Sequence, residues 1–203
     1  MHSAVPMSPM RILVALALVL VALWGAAHVS ADSVTDRLRP EIERVIQTLE
    51  DPALKPSAKA AERRQAVREI TGPMFDWDEM ARRTLGRHWE ARTEAERAEF
   101  AALFRELVER AFMAKIERYR GEKIVFTGES VNGDQATVRM RVLAPGAEVV
   151  IDYRLTAQGD RWLIYDVVID DVSVTSSYRS QFDGFLTRSS YQDLVRKIRE
   201  RVS

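Results

Sequence analysis

The chain has 203 residues, 30 basic and 30 acidic side chains, and no cysteine. That balance lacks the basic excess a nucleic-acid partner requires. The missing thiols exclude disulfides, thiolate metal sites and cysteine nucleophiles, so any stability must come from packing.

Residues 1–31 hold no Asp or Glu, only Arg11 as a basic residue, and an apolar run over 12–27. A basic start, a short apolar stretch and small residues at its end are the parts of a secretory signal. The expected organisation is a cleaved signal over 1–31 and a single domain over 32–203, long enough to bury a core. Met10 offers a tidier start, and cleavage fits after Ala27 or Ala31. The alternative is an uncleaved anchor, because the run approaches the length of a membrane span.

Val34, Leu38, Ile42, Val45, Ile46 and Leu49 recur at helical spacing. Pro40 interrupts them, which predicts a helix starting there with proline in its first turn. Pro52 and Pro56 mark a loop. A helix resumes near Ser57 and ends before Gly72-Pro73; its weak apolar face (Ala66, Val67, Ile70) reads as a connector.

Next comes FDWDEMARRTLGRHW, with Trp77, Ala81, Leu85 and Trp89 on one stripe and Asp76, Asp78 and Glu79 where the helix dipole favours acids. Thr93 and Glu96 have the spacing of a capping box. The helix they open carries Phe100, Leu103, Phe104, Leu107, Val108 and Phe112 on one face and runs towards Gly121.

The period then changes to two. A short strand over 123–127 is followed by alternation at Ala136, Val138, Met140 and Val142, then at Val149, Ile151, Tyr153 and Leu155. Asn132-Gly133-Asp134 and Pro145-Gly146 supply the turns. WLIYDVVI, at 162–169, has the continuous apolar character of a strand covered on both faces. Two helices close the chain, one near Ser177 with Tyr178 and Phe182, the other opened by Ser190 and Asp193. Helices, an antiparallel meander of about four strands, then helices again give an α+β layout: helices covering one face of a curved sheet, with an apolar interior between.

Chemistry-bearing patterns are sparse. His88 is the one histidine well inside the domain, too few for a multi-histidine zinc site, and no G-x-S-x-G elbow accompanies it. Asp76 and Asp78 do not face each other on a helix, and Asp170-Asp171 reads as turn chemistry. A small enzyme built on His88 or an acid pair remains one alternative. Arg82, Arg83 and Arg87 fit either a docking surface or a solvated helix face.

The residues also carry a resemblance. Phe75-Asp76, Met80-Ala81, Leu85-Gly86 and Trp89 resemble the F-D-x-x-x-M-A-x-x-x-L-G-x-x-W pattern of the MlaC, or toluene-tolerance, family. Thr93, Phe100, Phe104, Tyr119, Tyr153-Arg154, Trp162, Tyr165-Asp166-Val167, Val172-Ser173 and the segment 178–182 follow the family pattern in order. Asp171 departs from it, standing where the family usually has glycine; aspartate tolerates positive φ better than most residues.

The resemblance implies a nuclear-transport-factor-two-like cone with extra helices. It implies a non-enzymatic periplasmic carrier that holds phospholipid tails in a cavity, without a cofactor. Its partners would be the lipid itself, an inner-membrane ABC transporter complex and an outer-membrane lipoprotein–porin complex. A hopanoid-associated branch makes another lipid an alternative cargo, and a docking module without cargo is the remaining alternative. Moving a diacyl lipid of about 30 methylenes into water costs on the order of 24 kcal/mol, which only a deep apolar cavity offsets.

The expected lining is Trp89; Phe104, Val108 and Phe112 on the long helix; Val138, Met140, Ile151, Tyr153 and Ile164 on the strands; and Tyr178. Each has ordinary core as its alternative. Arg154 and Arg179 are the candidates for the headgroup.

Overall fold

A computed structural model describes residues 33–203; the expected signal lies outside them. Helix α1 (Val34–Glu50) begins six residues before Pro40, not at it. An interior proline costs a helix about 3 kcal/mol. Here Val34 and Leu38 are buried against Ala136, Val138 and Leu155 of the sheet, and the Glu129 carboxylate accepts from the Thr35 amide and hydroxyl at 2.8 and 2.6 Å. Those contacts offset the missing bond at Pro40.

Helix α2 (Ala60–Thr71) follows a single 3-10 turn and packs on α1. Val67 and Ile70 meet Val45 of α1 in a small buried cluster. The segment read as a connector is therefore a wall of the fold.

Helix α3 (Trp77–Leu85) is capped by Asp76, whose side chain accepts from the Glu79 amide. It ends at Gly86, where φ is +53°. A side chain there is strained, and its Cβ would stand 2.8 Å from Arg179 Nε. Helix α4 (Glu94–Ile116) opens on the complete Thr93–Glu96 capping box. It stops five residues short of Gly121.

The sheet is a five-strand antiparallel meander in sequence order: β1 (Lys123–Asn132), β2 (Gln135–Ala144), β3 (Ala147–Gln158), β4 (Arg161–Ile169) and β5 (Val172–Ser173). Met140 lies opposite Phe126 and Ile151, and Tyr153 opposite Val138 and Val167, so these side chains share one face. The other face carries cross-strand ion pairs, Arg139 with Asp152 at 2.7 Å and Arg141 with Glu148 at 3.1 Å.

A bulge between β3 and β4 inserts Tyr165, which turns Ile164 and Val167 to the same side although they are three residues apart. Asp170 and Asp171 join β4 to β5 with φ of +46° and +64°. Two consecutive positive φ values suit a two-residue hairpin, and Asp171 occupies its left-handed position without glycine.

Helices α5 (Val174–Leu186) and α6 (Tyr191–Val202) complete the chain. The α+β layout is the one the sequence predicts. No described helix is long and apolar enough to cross a membrane.

Candidate functional site: an apolar cavity

The helical layer treats the two halves of α4 differently. Phe100 and Phe104 are fully buried in its first half. They pack edge-on against Phe182, and Phe104 against Tyr178 with ring centroids 5.3 Å apart. Leu85, Leu194 and Ile198 fill the remaining space. Two and three turns further on, Phe112 and Ile116 lie partly exposed although they border the space above the sheet.

What they face is a cavity of about 600 Å³, within the roughly 300–1,000 Å³ of small-molecule sites. At about 30 Å³ per molecule it would take some twenty waters, against walls that give them few hydrogen bonds. Helix α1 contributes Ile42, Val45, Ile46 and Leu49, and α2 contributes Val67. Val108, Phe112 and Ile116 come from α4, and Met140, Val142, Val149 and Ile151 from the sheet. Phe75, Tyr153 and Ile164 stand at one end; Lys115, Arg118, Glu122 and Asp170 gather at the other, beside the β2–β3 hairpin. From Ala147 to Tyr153 β3 advances about 20 Å at ~3.3 Å per residue, so the cavity is elongated; Arg68 and Glu109 add charge to its wall on the side of α2 and α4.

The Tyr153 phenol is the polar exception at the deep end. It makes no hydrogen bond with any described residue, and burial pushes its pKa up to about 12. A neutral phenol is compatible with apolar surroundings where an ionised one is not.

Of the residues expected to line an interior, Val108, Phe112, Met140, Ile151, Tyr153 and Ile164 border this cavity. Trp89, Phe104 and Tyr178 pack in the aromatic cluster instead, and Val138 is fully buried beneath the deep end. Gly86 rotates Trp89 off the stripe of α3. The α1 and α2 wall was not selected from sequence. The signal was present in the spacing of Ile42, Val45 and Ile46, but it does not tell a helix over a void from one over a core.

The two arginines considered for a headgroup lie elsewhere. Arg154 points to the polar sheet face, 3.4 Å from Asp166. Arg179 covers Gly86. Asp166, itself buried, accepts from Ser173 Oγ at 2.7 Å and from the Thr175 amide at 3.0 Å. It thereby ties β4 to the start of α5.

The candidates for catalysis are engaged structurally. His88 Nε2 lies 2.9 Å from Asp183 Oδ1 and Arg87 lies 2.8 Å from the same oxygen. The His88 hydrogen bond, then the Arg87 charge, hold the Asp183 carboxyl below the usual range. Asp76 caps α3 and also accepts from Gln158. Arg82 and Arg83 both pair with Glu79. Among the described residues no cluster of three metal-ligating side chains occurs.

Three likenesses to known proteins accompany this geometry. The family model for MlaC protein matches residues 40–200. The intermembrane phospholipid transport system binding protein MlaC of Haemophilus influenzae is 24% identical over 146 residues, which cover 69% of this chain and 68% of that protein. A phospholipid-binding protein from Ralstonia solanacearum, solved in complex with a phospholipid, has the same fold: TM-score 0.71 at 22% identity, over 83% of this chain and 96% of that one.

Proposed function

The chain belongs to the MlaC family, and from that premise and its cavity we infer that it is a phospholipid carrier. One observation carries this reading: an elongated, mainly apolar void between helices and sheet, with a few ionisable side chains in its lining. Each methylene moved from water into such a void is worth about 0.8 kcal/mol. The void is the kind of site an acyl chain fills and a docking module has no need of. The relatives support the same reading, one as the binding protein of a phospholipid transport system and the other as a phospholipid-bound structure.

Val108, Phe112, Met140, Ile151, Tyr153 and Ile164 are the proposed tail contacts, joined by Ile42, Ile46 and Val149. Carriage needs no bond made or broken, so no catalytic residue belongs to it. The proposed setting is the periplasm, reached through a signal at 1–31 that is removed. There the protein passes lipid between an inner-membrane ABC transporter and an outer-membrane lipoprotein–porin complex. Exchange between two bilayers is nearly balanced, so direction comes from the transporter's ATP hydrolysis.

The test is transfer of a fluorescent phospholipid from donor to acceptor vesicles of the same composition. Transfer accelerated in proportion to protein concentration supports the reading. A rate equal to the protein-free rate, with the protein folded, contradicts it. Acceleration for a polycyclic lipid but not for a diacyl one would reassign the cargo.

A further inference from the structure

The polar side chains that line the apolar cavity fall into three groups. Most are already engaged. The Thr71 hydroxyl donates to the Val67 carbonyl at 3.0 Å, the Trp77 indole to the Gly72 carbonyl at 3.2 Å, and the Tyr119 phenol to Glu50 at 3.3 Å. Arg68 donates to Gln65, Glu109 accepts from Arg105, and Glu122 and Asp170 accept from the amides of Arg120 and Val150. Lys115 and Arg118 make no side-chain hydrogen bond among the described residues, but both are exposed, so solvent serves them. Tyr153 alone is neither bonded nor at the outer surface.

Tyr153 stands on β3 between Val138 of β2 and Val167 of β4, both buried. Arg92 Nε is the one fully enclosed side-chain donor or acceptor without a partner among the described residues. The Tyr153 hydroxyl is unbonded yet not enclosed, so its free surface opens on the cavity it lines. No charged group acts on it, burial being the sole cause of its raised pKa. A water there would gain one side-chain hydrogen bond, where a buried water makes about three. An unpaired buried hydroxyl carries its full desolvation cost, and a ligand oxygen at that depth would remove it.

The depth of that hydroxyl sets where the oxygen must be. From Val149, beside the β2–β3 hairpin, to Tyr153 β3 advances about 13 Å at ~3.3 Å per residue. An extended backbone covers ~3.5 Å per residue, that is per three bonds, so a hydrocarbon zigzag of similar geometry spans the same distance in about eleven bonds. We propose that Tyr153 selects the tail of the carried lipid, its hydroxyl pairing with a hydroxyl oxygen borne about ten to twelve carbons from the ester, and that the preferred cargo is a phospholipid with acyl chains hydroxylated near their middle. The proposal rests on the carrier reading. It sets the ester at the hairpin end, where Lys115, Arg118, Glu122 and Asp170 stand and a charged headgroup stays beside solvent.

The experiment incubates the full chain and Tyr153→Phe with vesicles holding equal parts of two phosphatidylethanolamines, one with stearoyl and the other with 12-hydroxystearoyl chains. The recovered protein is extracted, and mass spectrometry reads the ratio of the two lipids bound. A second set of vesicles pairs stearoyl with 2-hydroxystearoyl chains, which place the hydroxyl beside the ester. Phenylalanine keeps the ring and removes the oxygen, and circular dichroism verifies that the variant folds. The ratio of mid-chain hydroxylated to plain lipid is expected to be about tenfold higher on the parent than on Tyr153→Phe, and the 2-hydroxy ratio equal on both. Equal mid-chain ratios on the two proteins, or a 2-hydroxy ratio raised as much on the parent, would each overturn the proposal. A parent that takes up no lipid from either set of vesicles contradicts the carrier reading itself, a result distinct from both of these.

Discussion

The two halves of α4 face two interiors built on different rules. On one side Phe100, Phe104, Phe182 and Tyr191 interlock with α3, α5 and α6 and are all buried. On the other, Met113 alone packs against Val45, Val67 and Ile70 of α1 and α2, while Phe112 and Ile116, of the same chemical kind, border a void. Apolar composition does not separate them; the spacing of the opposing elements does. In the filled half close packing supplies stability. In the hollow half it is withheld, and the forfeited dispersion contacts are available to a ligand that enters. A carrier needs both, one half to stay folded when empty and the other to be worth filling.

The comparison is broken most forcefully from the filled side. Phe104→Ala removes a fully buried ring and is expected to lower stability by about 3–5 kcal/mol, read from denaturant midpoints, while molecules that remain folded still take up lipid. Next is the tie between sheet and helix. Asp166→Ala strands the Thr175 amide and the Ser173 hydroxyl and should cost about 2–3 kcal/mol. A loss below 0.5 kcal/mol on the same scale would remove Asp166 from the account.

From the hollow side, Val149→Trp places a large side chain into the void from a half-buried position. The thermal midpoint should hold while phospholipid retention falls about tenfold. Retention unchanged in the folded variant would mean that tails lie elsewhere.

The smallest expected effect is in the pH profile. Arg82, then Arg83, lower the Glu79 carboxyl, and Arg64, then Arg63, lower that of Glu117. Stability from these pairs is fully present above the ordinary glutamate pKa of about 4.3 and is lost as pH falls through the depressed folded values. Tyr153 works in the opposite direction. Its raised pKa stabilises the fold below about pH 10, the ordinary tyrosine value, and that contribution is lost as pH rises towards about 12. Tyr153→Phe should flatten this alkaline limb, and urea midpoints at pH 7, 10 and 11 measure it.

Much of the fold was legible because its signals are local. The Thr93 capping box, the Gly133 and Gly146 turns and the alternation along β2 and β3 each depend on a few neighbouring residues. The start of α1 was not legible, because proline's local cost is outweighed by contacts of Val34 and Leu38 with strands a hundred residues away. The lining was legible in part for a related reason. Periodicity identifies which way Phe104 and Phe112 point, and both point inward. Whether the partner helix stands close, as α5 does to Phe104, or apart, as α1 and α2 do from Phe112, is a property of the whole packing.

The central claim is that the hollow half holds lipid tails, and native mass spectrometry tests it most directly. The full chain, expressed in a bacterial host and purified without detergent, should carry added mass that organic extraction resolves into phospholipid. Val149→Trp should carry little of it. A folded parent with only the protein mass, or a parent and a Val149→Trp variant equally loaded, would contradict the claim.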